Sequence, residues 1–154
     1  MGIENDIGKV LCDKNKTISI AESLTGGLLC GKLVNFPGIS KVLLEGVVSY
    51  SIESKIKRLG VKSKTIEEFS DVSSETAIEM ARGIAKTSGS NIGISTTGVA
   101  GPSGEPLGLV YIGFYIDGDS SFIEKKFSGE RQEIRNKAVE ASLKALYDKI
   151  KGID

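Results

Sequence analysis

The sequence predicts an α/β fold, specifically a three-layer α/β/α sandwich built around a mixed sheet. Short apolar runs rich in β-branched residues alternate with stretches of helical spacing over most of the chain, which favours parallel strands joined by helices. A hairpin signal then follows, and it adds antiparallel pairing to the sheet. With 154 residues, of which 40% are hydrophobic, the chain is expected to form a single domain over 1–154.

The first part of the chain predicts three helices and two strands. Apolar residues at intervals of three and four predict helices over 3–14 and 25–36, the second ended by a Pro-Gly pair. The β-branched run TISIA predicts a strand over 17–21, and VLLEGVVSY predicts a buried strand over 42–50. A short helix is predicted to follow, and it is expected to end at Gly60.

The second part predicts one helix, three strands and a long final helix. Serines ahead of acidic residues and an apolar face predict the helix over 72–90, and NIGISTT predicts a strand over 91–97. An Asp-Gly-Asp turn between 109–116 and 120–127 indicates a hairpin. The apolar spacing over 129–150 predicts the last helix, and one or two helices are expected between the second and third strands.

Composition excludes several classes of function. The 20 basic residues equal the 20 acidic ones, so no overall field favours nucleic acid or a membrane surface. No apolar run approaches the ~20 residues of a membrane span, and the start carries acids instead of a secretory signal, so a cytoplasmic location is expected. Cys12 and Cys30 have helical apolar spacing and are expected to pack in the core.

The absence of histidine is the most informative feature of the composition. It excludes Ser-His-Asp and Cys-His catalysis and removes the side chain that zinc most often uses. We therefore expect neither a metal nor a cofactor. Proton transfer near neutral pH would have to use lysine, tyrosine or a carboxylate with a shifted pKa.

The segment AESLTGG at 21–27 interrupts an apolar run where a predicted strand passes into a helix. Ser23 would lie beside unpaired backbone N–H groups, which can hold an oxyanion or a phosphate. Gly26 and Gly27 would let a ligand approach the backbone closely. The alternative is structural: Ser23 or Thr25 caps the helix and the glycines relieve crowding.

The segment YSIESK places Tyr50 at the end of a strand and Lys55 at the start of a helix. A lysine whose pKa is lowered in a dry site can replace histidine as the general base for a serine, and the tyrosine could relay the proton. A surface charge and a core aromatic residue are the simpler interpretation.

Two further segments suit an anionic group. The loop from Thr96 to Gly108 carries four glycines and two prolines after a strand, where open sheets bind ligands. Arg131 and Arg135 begin the last helix, where guanidinium groups and helix amides could hold a phosphate together. A tight turn and a solvated helix start are the alternatives.

Five motifs in order resemble the C-terminal domain of the competence/damage-inducible CinA family, over about residues 5–148. The motifs are AESLTGGLL, GVVSYSIESKIKRLGV, VSSETAIEMARGIA, STTGVAGPSG with LGLVYIG, and FSGERQEIR. Active members of that family are nicotinamide-nucleotide amidases with a three-layer α/β sandwich fold. They hydrolyse the carboxamide of nicotinamide mononucleotide to nicotinate mononucleotide and ammonia without a metal.

The resemblance implies a role for each matching residue. Ser23 matches the serine nucleophile, Tyr50 and Lys55 match the family's YSNEAK-like motif, and Arg131 matches its GxR segment. Lys55 as free amine would take the serine proton, and Tyr50 would help to pass it to the departing ammonia. The residues expected to bind the nucleotide are Thr25, Gly26 and Gly27 at the oxyanion, and Thr97, Gly98, Gly101 and Arg131 around the ribose phosphate.

A rival interpretation is a catalytically silent relative that binds a nucleotide or a protein partner. It is compatible with two departures from the family pattern: Ile52 where asparagine is usual, and GPSGEPLG, which is shorter than the family's glycine loop. A small domain with a shallow site could also complete that site with a second copy, so a homo-oligomer is an open expectation.

Overall fold

A computed structural model describes residues 2–154, and over that range it contains six α-helices, one short 3-10 helix and five strands. The α-helices are α1 (Ile3–Lys14), α2 (Leu28–Leu33), α3 (Ile52–Leu59), α4 (Ser63–Phe69), α5 (Ser74–Ser88) and α6 (Arg131–Ile150). The strands are β1 (Ile18–Glu22), β2 (Leu43–Val48), β3 (Ile92–Gly98), β4 (Leu109–Ile116) and β5 (Asp119–Lys126).

The strands form one mixed sheet in the order β2-β1-β3-β4-β5. β1 pairs in parallel with both β2 and β3, whereas β4 is antiparallel to β3 and to β5. Helices α1, α2 and α6 pack together over one face, and α3, α4 and α5 pack together on the other. The predicted α/β class, with three layers around a mixed sheet, is confirmed.

Helix α5 lies unusually close to the sheet because two strand glycines face it. A Cβ added at Gly93 would overlap the carbonyl oxygen of Ala81, and one added at Gly113 would overlap that of Ala77. The Ser95 hydroxyl donates to the same Ala77 carbonyl at 2.6 Å. These contacts fix the position of α5, against which α3 and α4 pack.

The chain between β2 and β3 forms three α-helices, α3, α4 and α5, where one or two were expected. The missed helix is α4, which has only seven residues and is therefore too short for a clear helical spacing of apolar residues.

Two further predicted elements need correction. The helix predicted over 25–36 begins only at Leu28, because Gly26 and Gly27 have φ values of 56° and 103°, outside the helical region. The strand predicted as buried is instead the edge strand β2, where Leu44 is 48% exposed and Val48 is 47% exposed. An apolar run alone cannot distinguish an edge strand from a central one.

Cys12 and Cys30 are half-buried free thiols that pack against the larger of two apolar cores, the one between the sheet and helices α1, α2 and α6. A smaller core on the opposite face includes Met80 and Ile84 of α5. Among the described residues, no helix is both long enough and apolar enough to cross a lipid bilayer.

Candidate active site

Ser23 lies at the carboxyl end of β1, between two parallel neighbours, which is where open α/β sheets commonly bind ligands. Ser23 is only 8% exposed. The neighbouring strand β3 holds the segment in place, because the Ser23 amide donates to Thr96 Oγ1 at 3.3 Å. The Thr25 hydroxyl also bonds to Thr96 Oγ1, at 2.8 Å. The serine is therefore held by the sheet on one side.

The Glu22 carboxylate organises the turn that follows Ser23. One oxygen accepts from the amides of Gly27 and Leu29 at 3.1 and 3.0 Å, and the other accepts from Cys30 at 2.9 Å. Glu22 is buried, so these three N–H groups take the place of water around its carboxylate. This buried acid holds the start of α2.

Arg135 of α6 fixes the turn from the other side. Its Nε donates to the Leu24 carbonyl at 2.7 Å, and its Nη2 donates to the Thr25 carbonyl at 3.3 Å. The sequence suggested this arginine as part of an anion site. In the structure its guanidinium group braces the loop that carries Ser23.

Lys55 projects from α3 toward Ser23. Ser51 caps the start of this helix, accepting from the Ser54 amide at 3.0 Å. Lys55 is only 1% exposed, and its Nζ lies 2.9 Å from Ser23 Oγ. The same Nζ lies 2.9 Å from the Ser49 carbonyl and 3.0 Å from the Tyr50 carbonyl. The predicted serine–lysine pair is thus within hydrogen-bonding distance.

Burial lowers the pKa of Lys55 from its usual 10.5, and the negative charge of Asp71 opposes part of that effect. A free amine has two hydrogens and one lone pair. If the hydrogens are donated to the Ser49 and Tyr50 carbonyls, the lone pair is left for the Ser23 hydroxyl. This arrangement suits a general base that acts on Ser23.

A cavity of about 500 Å³ opens beside Ser23. Its wall contains five of the predicted site residues and an acid that no motif had indicated; these are Ser23, Tyr50, Gly98, Gly101, Arg131 and Asp71. Lys55 lies behind Ser23 and is almost inaccessible. The cavity therefore presents the serine to a ligand and keeps the lysine away from bulk water.

Arg131 and Tyr50 form one wall of the cavity together. Arg131 donates from Nη1 to the Gly101 carbonyl at 2.6 Å and from Nη2 to the Tyr50 hydroxyl at 2.8 Å. Tyr50 contacts Lys55 through its backbone carbonyl, whereas its hydroxyl is engaged with Arg131. The relay through the Tyr50 hydroxyl stays a prediction: this hydroxyl accepts from Arg131 and has no hydrogen bond to Ser23 or Lys55.

Four predicted binding residues, Thr25, Gly26, Gly27 and Thr97, are not among those that line the cavity. Thr25 is fully buried against Thr96, and the Thr97 hydroxyl donates to the Asp71 carbonyl at 2.7 Å. The amides of Gly26 and Gly27 are occupied, since they donate to the Ser23 carbonyl and to Glu22. These four residues shape the site rather than presenting donors to a ligand.

Other backbone amides are available. Within residues 2–154, no group accepts from the amide of Leu24, which follows the serine, or from those of Gly101, Ser103 and Gly104 in the loop after β3. Leu24 and the three loop residues all line the cavity. In the same range no cluster of three metal-ligating side chains occurs. The available donors suit an oxyanion and a phosphate.

Comparison with known proteins identifies the family of the chain. The sequence profile of the CinA C-terminal domain matches residues 1–150. The chain belongs to this family. Proteins named competence-damage inducible protein from Clostridium tetani and from Clostridium botulinum strain Langeland are 58% and 57% identical to it, over 94% and 97% of the chain. The chain spans only 36% and 37% of those relatives' own lengths.

Solved structures of CinA proteins share the fold over nearly the entire chain. The competence damage-inducible protein A from Klebsiella pneumoniae superposes with a TM-score of 0.95 at 30% identity, covering 99% of this chain and 97% of that one. The CinA superfamily protein from Escherichia coli gives 0.91 at 29% identity, with 94% and 86% covered. The competence/damage inducible protein from Agrobacterium tumefaciens gives 0.87 at 32% identity, with 96% of each chain covered.

Proposed function

We propose that this chain is a nicotinamide-nucleotide amidase that converts nicotinamide mononucleotide and water into nicotinate mononucleotide and ammonia. One observation carries the proposal: the Nζ of the buried Lys55 lies 2.9 Å from Ser23 Oγ. A serine paired with a desolvated lysine is a nucleophile with its base, which a module that only binds nucleotides would not need. Membership of the CinA C-terminal domain family supports it.

In the first half of the reaction, the free amine of Lys55 takes the proton of the Ser23 hydroxyl. The serine oxygen forms a bond to the carboxamide carbon, and the negative charge moves to the carboxamide oxygen. The amide of Leu24 is an unoccupied donor next to the serine and would stabilise that charge. The C–N bond then breaks, and Lys55 returns its proton to the leaving nitrogen, which departs as ammonia.

In the second half, water hydrolyses the ester formed on Ser23. Lys55 takes a proton from water, the resulting hydroxide forms a bond to the acyl carbon, and the bond to the serine oxygen breaks. The lysine proton returns to that oxygen, so the free serine and free amine are restored. The balance is one amide and one water consumed for one carboxylic acid and one ammonia.

Arg131 and the glycine loop are suited to the phosphate of the nucleotide. Arg131 is held at the cavity wall by Gly101 and Tyr50, which aligns its guanidinium group. The amides of Ser103 and Gly104 are unoccupied on the same side. Tyr50 lines the cavity and holds Arg131 through its hydroxyl, so proton transfer is assigned to Lys55 alone.

Ile52, which replaces the asparagine of the family motif, does not argue against catalysis. Its side chain is exposed in the first turn of α3, and it is not among the residues that line the cavity. Its neighbour Ser51 retains the helix cap that positions Lys55. The change therefore leaves the serine–lysine pair intact.

The test is ammonia release from nicotinamide mononucleotide by the purified chain, with formation of the acid followed by chromatography. We expect turnover by the natural chain, and none with Ser23→Ala, which should still bind the nucleotide. As a matched control, Ser40→Ala removes an exposed serine from the short 3-10 helix Ile39–Lys41 and should leave turnover unchanged. Binding without turnover by the natural chain would favour the silent module.

A further inference from the structure

Asp71 is an acidic residue of the cavity wall that the proposed chemistry does not use. It lies between α4 and α5 and lines the same cavity as Ser23, Tyr50 and Arg131. It is half-buried. No sequence motif pointed to it, since a single acid between two predicted helices has the appearance of a solvated turn.

The segment that carries Asp71 is fixed by several hydrogen bonds. Thr97 of β3 donates to the Asp71 carbonyl at 2.7 Å. The preceding carbonyl, that of Ser70, accepts from the hydroxyls of Ser73 and Thr76 at 2.9 and 2.7 Å. Because β3 and the start of α5 both hold this segment, the carboxylate is positioned before any ligand arrives.

The charge of Asp71 has no full partner inside the protein. Among residues 2–154 it takes part in no ion pair, and its carboxylate accepts one hydrogen bond, from the Ser70 hydroxyl at 3.2 Å. The charge of Asp71 raises the pKa of Lys55, but the larger effect of burial lowers it and favours the uncharged amine. The carboxylate therefore keeps unused acceptor sites beside the cavity.

A group of the opposite charge, the Arg131 guanidinium, lines the same cavity. Arg131 is held in place by the hydrogen bonds that it donates to the Gly101 carbonyl and to the Tyr50 hydroxyl. Glu105 also lines the cavity, but it is exposed on the loop, where water and salt screen its charge. The cavity thus has a fixed negative group and a fixed positive group, which suits a ligand that carries both charges.

We propose that Asp71 selects ligands whose ring is positively charged, such as the pyridinium ring of an oxidised nicotinamide nucleotide, while Arg131 takes the phosphate. This inference rests on the proposed function, because it assigns the carboxamide-bearing ring to the space between Ser23 and Asp71. The reduced nucleotide is the sharpest comparison: it has the same carboxamide, ribose and phosphate, but its dihydropyridine ring is uncharged.

The experiment compares the Kd of oxidised and of reduced nicotinamide mononucleotide in the Ser23→Ala protein, where no turnover interferes. We expect the oxidised form to bind more tightly. Adding Asp71→Asn, which keeps the size of the side chain, should weaken the oxidised form on the order of tenfold and leave the reduced form nearly unchanged. As a matched control, Asp119→Asn alters an exposed acid at the far end of the sheet and should change neither Kd.

An equal loss for both nucleotides would overturn the inference, since a purely structural role of Asp71 does not depend on ring charge. The inference would also be overturned if adding Asp71→Asn left the preference for the oxidised form unchanged, or if the Ser23→Ala protein bound neither form. Failure of the proposed function is a separate result: it is the absence of ammonia release by the natural chain, whatever the two Kd values are.

Discussion

The Nζ of Lys55 lies 2.9 Å from the Oγ of Ser23, although the two residues come from different elements 32 positions apart in the chain. β1 and its turn position the serine, and the capped helix α3 positions the lysine. Both residues are buried, so the pair is shielded from bulk water on the side away from the cavity. Such burial lowers the pKa of Lys55 and so favours the uncharged amine, which is the only form that can accept the serine proton.

Lys55→Met should lower kcat for ammonia release by about 10²- to 10⁴-fold, the usual contribution of a positioned base. Methionine fills a similar volume without an amine. Lys55→Arg should not rescue activity, because a guanidinium stays protonated. Lys57→Met, two positions along on the exposed side of α3, is the matched control and should retain the natural rate. Activity of Lys55→Met within a few-fold of the natural chain would contradict the assignment.

The pH dependence of kcat/KM follows from the lowered pKa of Lys55. The free amine is the active form, so kcat/KM should rise with pH and level off once Lys55 is deprotonated, with a midpoint below 10.5. Asp71 is the acid that raises this pKa, whereas Arg131 on the cavity wall is the neighbouring cation. Asp71→Asn should therefore move the midpoint to lower pH. A midpoint at 10.5 or a shift upward would exclude Lys55 as the base.

The sequence was sufficient to predict the layers, the strands and the serine–lysine pair, because each depends on local spacing or on a motif. It could not predict that β2 lies at an edge, because Leu44 and Val48 have the same apolar pattern in an edge strand as in a central one. The partner of the Tyr50 hydroxyl, Arg131, is 81 positions away. Asp71 reaches the cavity through tertiary packing and has no signature in the sequence.

Tyr50→Phe distinguishes a wall residue from a proton relay. Because the Tyr50 hydroxyl bonds to Arg131, its loss should loosen that guanidinium and raise KM by about two- to fivefold, with kcat nearly unchanged. A loss of 10²-fold or more in kcat would instead support a proton relay through the Tyr50 hydroxyl. Nicotinamide riboside, which lacks the phosphate that Arg131 is proposed to bind, should show a smaller change in KM.

Glu22→Gln should lower the free energy of unfolding by about 1–3 kcal/mol, measured by urea titration. The carboxylate accepts from three amides, of which Cys30 donates to Oε2. A glutamine keeps one oxygen and places an NH₂ group against an N–H donor, which leaves a buried amide unsatisfied. Glu45→Gln on the exposed strand β2 is the matched control, with an expected change within about 0.5 kcal/mol. Equal stability of the two variants would contradict this role of Glu22.

Gly93→Ala should destabilise the protein by about 1–3 kcal/mol, because the added Cβ would overlap the Ala81 carbonyl and force α5 away from the sheet. The matched control is Gly31→Ala on α2, where an added Cβ meets nothing within 4 Å and alanine favours the helix. That variant should be neutral or gain up to about 1 kcal/mol. Since Asp71 lies three positions before the start of α5, Gly93→Ala should also weaken binding of nicotinamide mononucleotide. Retained stability would mean that α5 is free to shift outward without cost, and that close packing does not fix the Asp71 side of the cavity.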